Sequence, residues 1–282
     1  MKEGRSGRLT GGFTILEVMI FLIITGVLLV AAMSLLSGQH NRTAFRQSIR
    51  ENESQFKTTI NEVASGFYPN NGNFSCTVSP GGIPTFTSAT ATEQGQNEDC
   101  LFLGKVVRVN PGGTSYSIYT IAGRRLVSGT EVTQLQDANP RPVARFSGDP
   151  VNTPDVTQTV NLPSDIQITK VVSISTAGVQ TTIDAFGFMM SVGKTSGGDL
   201  VSGAQAISLV PLPNPAPNDN DFKTGISGMQ QVHVGSAKTI VLCVRQGGTG
   251  GAQGAIVFGS QGRQLSTEVI IGAPPSGYTC PA

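Results

Sequence analysis

Cysteine is the reactive side chain whose chemistry this sequence constrains best. The four cysteines all follow a long apolar run near the N-terminus, and none forms a C-x-x-C pair; they are Cys76, Cys100, Cys243 and Cys280. Four cysteines allow three disulfide pairings. We favour Cys76 with Cys100 and Cys243 with Cys280, because each bridge closes a local loop and the second fixes the C-terminal tail to a strand. A zinc site and reduced, inert thiols are the alternatives; His40 and His233 lack metal-finger spacing from the cysteines.

The other residues that could support catalysis or ligand binding are scattered. The sequence has only two histidines that could act as the base of a catalytic triad, and it has no G-x-S-x-G nucleophile elbow. The glycine-rich loop at 247–254 lacks the lysine and the helix of a phosphate-binding loop. Asp219 and Asp221 lie in a proline-rich stretch without the ligand spacing of a calcium hand. We therefore expect no enzyme, no cofactor and no metal.

Glu17 is the most unusual charge in the chain, because it adjoins an apolar run from Val18 to Leu36. These 19 residues are interrupted only by Thr25, Gly26 and Ser34. As a helix they would extend about 28 Å, close to the hydrocarbon thickness of a bilayer. An ionised side chain costs about 2.5–3.5 kcal/mol at the centre of a membrane helix and less near its end. A carboxylate at the end of an apolar helix therefore predicts a partner of opposite charge.

This stretch has two simpler interpretations. In a plain membrane anchor, Glu17 would extend towards the head groups and have no further role. In a cleaved secretory signal, the triplet Ala32-Met33-Ser34 would be the peptidase site. However, the apolar run exceeds the usual signal core of about 7–15 residues, and the triplet lies inside the run instead of after it.

The N-terminal stretch resembles the type IV pilin and type II secretion pseudopilin superfamily. Its prepilins carry a short basic leader, a glycine, an aromatic residue and a Thr-Leu-Ile-Glu-like sequence that leads into an apolar helix. Here residues 1–12 match the leader, Gly12 the residue before the cut, Phe13 the new N-terminus and Glu17 the glutamate. The resemblance implies cleavage between Gly12 and Phe13, N-methylation of Phe13, and pairing of Glu17 with the Phe13 ammonium of an adjacent subunit.

The resemblance also implies partners. They are a prepilin peptidase, other pilin subunits in a homo- or hetero-filament, a platform protein with an assembly ATPase, and membrane lipid. Nucleic acid is not expected, since the net charge is +1 and the basic leader leaves the rest of the chain slightly negative. The chain departs from many family members in having no proline in its apolar helix, which puts local unwinding of that helix in doubt.

Beyond Leu36 a helical pattern continues. Phe45, Ile49, Phe56, Ile60 and Val63 recur at steps of three or four residues or their multiples, with Asn52 as a gap, and Phe67 continues the pattern. We predict a leader at 1–12 and a helix at 13–66, whose part at 13–36 spans the membrane and whose part at 37–66 is amphipathic. Arg42, Arg46 and Arg50 indicate a solvated face, or a face for lipid phosphates or acidic groups of a neighbouring subunit.

Residues 67–282 predict an extracytoplasmic β-rich domain. Short β-branched runs separated by glycine turns indicate an antiparallel sheet, with strands near 101–109, 114–121, 166–175, 179–192, 204–210, 230–234, 239–244, 255–258 and 264–271. Residues 67–99 are predicted as loop, 211–221 as a polar excursion without core residues, and 115–121 as a strand with one wet face. Five prolines at 137–163 suggest a boundary between two sub-domains.

The fold class predicted is α+β, with a long transmembrane helix packed against a mainly antiparallel sheet. We expect a single-pass plasma membrane protein that is processed and assembled into a pilus or pilus-like filament on the cell surface. Its size and long loops favour a minor subunit. The alternatives are a pseudopilin of a type II secretion or DNA-uptake apparatus, and a helix-mounted adhesin at a filament tip.

Overall fold

The architecture is taken from a computed structural model of the chain. It describes residues 14–66, 74–79, 81–88, 99–110, 112–133, 135–151, 153–163, 166–190, 207–212, 218–227, 239–247, 251–261, 264–272 and 280; of residues 34–41, 260, 261 and 264 it describes the backbone alone. The chain divides into two compact units, residues 1–44 and residues 45–282.

The first element is the helix α1, Ile15–Ala64. No proline interrupts this stretch, and its residues are mostly good helix formers. The helix stops where Gly66 adopts a φ of +64° and its amide bonds to the carbonyl of Val63 at 3.1 Å. A left-handed residue just past the last turn is the usual glycine termination of a helix.

Among the residues that the structure describes, fifteen strands and a second helix follow α1. They are β1 (Phe74–Val78), β2 (Pro84–Ser88), β3 (Cys100–Val109), β4 (Ser115–Arg124), β5 (Leu126–Val127), β6 (Thr130–Glu131), β7 (Arg141–Pro142), β8 (Gln158–Asn161), β9 (Ile166–Ile174), β10 (Gln180–Ile183), β11 (Ala185–Met190), β12 (Ile207–Leu212), α2 (Asp219–Ser227), β13 (Thr239–Gln246), β14 (Gln253–Gln261) and β15 (Gln264–Ile271).

Two larger antiparallel sheets organise these strands. The first has the order β12-β11-β3-β4-β7, with β8 also paired to β4, and the second has the order β10-β9-β13-β14-β15. The strands β10 and β11 follow one another directly, so the chain passes from one sheet to the other at Asp184. The amide of Val109 donates to the carbonyl of Asp184 at 2.8 Å and fixes this crossing.

The largest core cluster joins the second half of α1 to both sheets. Its helix residues are those of the predicted apolar stripe, Phe45, Ile49, Phe56, Ile60 and Val63, and all five are buried. The ring of Phe56 stacks on Tyr116 of β4 and meets Phe258 of β14 edge to face, each at 5.0 Å between centroids. Burial of one such side chain contributes about 1.5–3 kcal/mol, so this stripe fastens the second half of α1 to the sheets.

Smaller clusters cover the remaining faces. One places Phe222 and Ile226 of α2 against the six-stranded sheet. Another joins the β1–β2 hairpin to Ala122 and Val143. The third consists of residues of the five-stranded sheet together with Cys280. Both sheets are therefore covered on both faces.

A buried ion pair ties α1 to the six-stranded sheet. Lys105 of β3 is 3% exposed, and its ammonium donates to the carboxylate of Glu62. Asn52, the polar gap in the apolar stripe, is also buried, and its side-chain amide donates to the carbonyl of Ser48 at 2.9 Å. Buried polar groups are tolerated only when they are bonded in this way.

The predicted α+β class is confirmed: an N-terminal apolar helix precedes antiparallel sheets. Several local predictions were wrong. The predicted loop at 67–99 contains the β1–β2 hairpin, in which Phe74 packs edge to face on Phe86 at 6.0 Å. The predicted strand at 179–192 is two strands in different sheets, because the chain crosses between them at Asp184.

Two further predictions need correction. The stretch at 211–221 holds the buried Leu212 and the start of α2, so it is not free of core residues. The face of β4 predicted as wet is only partly so, since Ser115 and Ser117 are half-buried and Tyr119 and Ile121 on the same face are buried. The predicted strand at 230–234 lies outside the described residues. The sub-domain boundary near 137–163 stays a prediction.

We predict that Gly254→Ala lowers the free energy of unfolding by about 1–3 kcal/mol. A Cβ at this position of β14 would lie 2.6 Å from Cδ1 of Ile49 and 2.7 Å from the carbonyl oxygen of Ile270, and the backbone oxygen cannot move aside cheaply. Urea unfolding of the full chain in detergent measures the change. Gly259→Ala on the same strand is the matched control, because its Cβ would meet only the Ser266 hydroxyl, at 3.2 Å. Equal stability of the two variants would contradict the close approach of α1 to β14.

Candidate functional site

The N-terminal end of α1 is capped by its own sequence. The Thr14 hydroxyl oxygen accepts a hydrogen bond from the Glu17 amide at 3.3 Å, and the Thr14 carbonyl accepts from the amides of Glu17 and Val18 at 3.0 and 3.2 Å. A threonine at the N-cap with a glutamate three residues later is the capping-box pattern. The carboxylate also lies in the first turn, where the helix dipole favours negative charge.

The first turns of α1 leave their apolar side chains uncovered. Fourteen large apolar side chains between Ile15 and Met33 are 46–82% exposed. Covering one such side chain is worth about 1.5–3 kcal/mol, so together they outweigh any single polar contact in the molecule. A continuous apolar surface of this size marks a membrane-embedded or protein-covered segment.

Ile15–Met33 is also long and apolar enough to cross a membrane, and it is the one such helix among the described residues. Its internal polar side chain is satisfied, since the Thr25 hydroxyl donates to the carbonyls of Phe21 and Leu22 at 2.9 and 3.1 Å. Within residues 14–33, Glu17 alone is ionisable. The segment therefore presents one charge, at its end, on an otherwise apolar surface.

The predicted processing site lies outside the described residues. Gly12, Phe13 and the leader at 1–12 belong to this part of the chain, as do His233 and the side chain of His40. Glu17 is the predicted assembly residue that the structure describes, and its side chain is exposed. The cleavage, methylation and pairing predicted for these residues stay predictions.

Two disulfides are present, and their pairing is the one that the sequence favours. Cys76 is joined to Cys100, and Cys243 to Cys280. The first bridge ties the β1–β2 hairpin to the start of β3, and the second ties the C-terminal end to the central strand β13 of its sheet. Disulfides of this kind persist in oxidising compartments. Together with the apolar helix they indicate a membrane or extracytoplasmic location.

The densest polar cluster lies where α2 meets the six-stranded sheet. Asp219 accepts hydrogen bonds from Lys223 at 2.6 Å, from Arg108 at 3.2 Å and from the Tyr119 hydroxyl. The Arg108 guanidinium also lies over the Phe222 ring at 4.9 Å, and Lys223 donates to the carbonyl of Arg145 at 2.7 Å. These contacts are internal and hold α2 in place, so the cluster is a structural one.

Burial and the neighbouring cations act in opposite directions on the Asp219 pKa. Partial burial alone would raise it, but the hydrogen bonds from Lys223 and Tyr119 and the charges of Lys223 and Arg108 together lower it below its ordinary value. Burial, followed by the interaction with Asp219, raises the pKa of Tyr119. Around neutral pH the carboxylate is thus charged and the phenol neutral, which is the combination that the hydrogen bond between them requires.

This cluster also explains the acidic pair singled out in the sequence. Asn218 caps α2, because its side-chain oxygen accepts from the Asp221 amide at 2.8 Å while its amide donates to the Asp221 carboxylate at 2.7 Å. The carboxylate of Asp219 pairs with the cationic side chains of Arg108 and Lys223. The glycine-rich loop joins β13 to β14, and the Gln246 amide bonds to the carbonyl of Ala252 at 2.8 Å. We assign no ligand to either place.

The comparisons with known proteins add no relative to this description. No protein-family model matches the chain, and no curated protein or solved structure matches it. The likeness to a pilin is one of architecture, an N-terminal apolar helix followed by antiparallel β-sheets.

Sequence reasoning missed the Thr14 cap and α2. Both have a local signal, a Thr or Asn followed three residues later by an acidic residue: Thr14 with Glu17, and Asn218 with Asp221. It also missed the pairing of Lys105 with Glu62, which are 43 residues apart. No local pattern could have indicated that contact.

We predict that Asp219→Asn destabilises the fold at neutral pH and loses this effect in acid. The native pKa of Asp219 is below its unfolded value of about 3.9, so its stabilising effect is complete above that value and disappears as the pH falls through the native pKa. Urea unfolding of both proteins at about pH 7, 5 and 3 measures the difference between their unfolding free energies. A difference that stays constant across this range would contradict the charge-based contact.

Proposed function

We propose that this chain is a type IV pilin-like structural subunit, which a prepilin peptidase processes and which assembles into a pilus or pilus-like filament through its apolar N-terminal helix. The observation that carries the proposal is the uncovered apolar surface of Ile15–Met33 with Glu17 as its single charge. A membrane can cover this surface before assembly, and neighbouring copies of the same helix can cover it afterwards.

The charge at Glu17 provides the specific element of the proposal. Apolar helices packed against each other resist sliding only weakly, since their contacts are alike along the axis. A carboxylate at a fixed position pairs best with one cation, and the Phe13 ammonium created by a cut after Gly12 is such a cation. Pairing Glu17 with the Phe13 ammonium of an adjacent copy would set the axial register of the filament.

The β-rich unit would then be the displayed part. Its two disulfides suit an exported domain, and its core includes the buried stripe of α1, so the domain is fastened to its own helix. The proposed partners are the prepilin peptidase, other pilin subunits, the platform protein with its assembly ATPase, and membrane lipid. A non-enzymatic role and a single-pass plasma membrane precursor with an extracytoplasmic domain belong to the same proposal.

A minor subunit is the form that we favour, on chain length and long loops. A pseudopilin of a secretion or DNA-uptake apparatus is the alternative, since the same helix serves both assemblies. Abundance in sheared surface filaments separates these roles: a major subunit dominates them, a minor subunit is a small fraction, and a pseudopilin is absent from long surface filaments.

We predict that the mature chain begins at Phe13 and carries an added N-methyl group. Mass spectrometry of the N-terminal peptide from membranes checks this directly. Gly12→Leu is expected to leave the leader in place, because a bulky side chain before the cut does not fit where glycine does. A mature start near residue 35 would make the chain a cleaved secretory protein and overturn the proposal.

We predict that Glu17→Ala lowers filament yield by more than about tenfold, since an unpaired ammonium left in an apolar bundle costs several kcal/mol. Glu17→Gln separates assembly from helix capping. Glutamine keeps the capping pattern but not the charge. If the pairing is what matters, Glu17→Gln must lower the filament yield as much as Glu17→Ala does. Thr14→Ala is the matched control, since it removes the cap and keeps the charge. Normal filament yield with Glu17→Gln would show that capping alone is the role of this residue.

A further inference from the structure

The second half of α1 carries opposite charges on its two exposed flanks. With about 100° of rotation per residue, Arg46 and Arg50 lie about 100° and 140° to one side of the buried Phe45, and Glu51 lies about 120° to the other side. All three charged side chains are exposed. We name Arg46 and Arg50 the basic flank and Glu51 the acidic flank.

These three charges are unpaired within the described part of the chain, as is Arg42 one turn before Arg46, whereas the charges that follow them on the helix are paired. Lys57, on the same side as the basic flank, pairs with Glu53 at 2.7 Å. Glu62, on the same side as Glu51, pairs with Lys105 of β3. Arg46 and Arg50 are four residues apart, so they repel each other weakly on the helix surface. What remains for an outside partner is positive on one flank and negative on the opposite flank.

We infer that the basic flank of one copy binds the acidic flank of the next copy in the filament. Opposite charges at the two edges of one exposed helix face, about 100–140° apart around the axis, make a heterologous, head-to-tail contact, which can repeat without closing and so build a helical assembly. This inference rests on the proposed function, because the apolar segment of the same helix is what would bring the copies side by side.

A second copy fits these charges better than a lipid surface does. Anionic head groups would attract Arg46 and Arg50 but would repel Glu51, whereas another α1 offers a complementary charge to each flank. Exposed ion pairs contribute little one at a time, so the contact would act on the choice of neighbour and on register, with apolar packing supplying the affinity.

Charge reversal on each flank tests the inference. Arg46→Glu with Arg50→Glu makes both flanks acidic, and Glu51→Arg makes both flanks basic. Each variant alone is expected to give about threefold to tenfold less sedimentable filament than the wild type at low salt. The loss should shrink near 1 M salt, where the Debye length is about 3 Å. Thermal unfolding of the full chain in detergent confirms that each variant is folded.

The decisive measurement is co-expression of the two variants. Copies with two acidic flanks and copies with two basic flanks complement each other, so the mixture should regain near wild-type filament yield, as should the single chain carrying all three reversals. Glu268→Arg, an exposed reversal on β15, is the control for net charge and should leave the yield unchanged.

Each other outcome contradicts the inference in a distinct way. Wild-type filament yield from both reversed variants would rule out the flank contact. A loss of membrane association by the arginine variant, without rescue in the mixture, would assign the basic flank to lipid. Absence of the wild-type chain from the sedimented filaments would overturn the proposed function, which separates that failure from a failure of the flank contact.

Discussion

An apolar surface that the chain cannot cover by itself is the constraint on which the rest of this structure depends. The large side chains of Ile15–Met33 point outward on every side of the helix, and water is a poor solvent for all of them. Each one favours transfer to an apolar environment by about 1.5–3 kcal/mol, whereas an exposed ion pair is worth about 0.2–1 kcal/mol. A membrane or another protein surface can meet this demand, and a single polar group such as Glu17 adds little to the total free energy of that transfer.

The residues of α1 from Phe45 onward are also helical, but their apolar side chains are buried within the chain's own domain. From Phe45 onward the apolar positions of α1 contract to a stripe, and that stripe lies in the main core with strands of both sheets. Most of the remaining positions are polar or charged; Ser48, Asn52 and Thr59 are buried beside the stripe, and the others are exposed or half-buried. One continuous helix thus changes from apolar on all sides to apolar on one side. This change in pattern, and not a break in the backbone, marks where the segment that needs an external cover ends and the segment that belongs to the domain begins.

Sequence patterns were most informative where the physical signal is local. The apolar run, the stripe from Phe45 to Val63 and the strand β15 follow directly from periodicity and turn chemistry, and the favoured cysteine pairing follows from loop closure. The failures arose where distant contacts decide the structure. The β1–β2 hairpin is short and polar and is fixed by Phe74, Phe86 and a disulfide, and the break at Asp184 depends on which sheet each half of the run joins. No window of sequence contains that information.

Two polar clusters and one disulfide of the domain share a property that bears on the proposed display of this domain on a filament. Glu62 with Lys105 ties the helix to β3, Asp219 ties α2 to β3 and β4, and Cys243 with Cys280 ties the chain end to β13. Each joins elements that are distant in sequence and resists their separation. In the proposed filament, force on the domain would pass through its helix. Contacts that join the helix and residue 280 to central strands would then help the domain to keep its shape under that force.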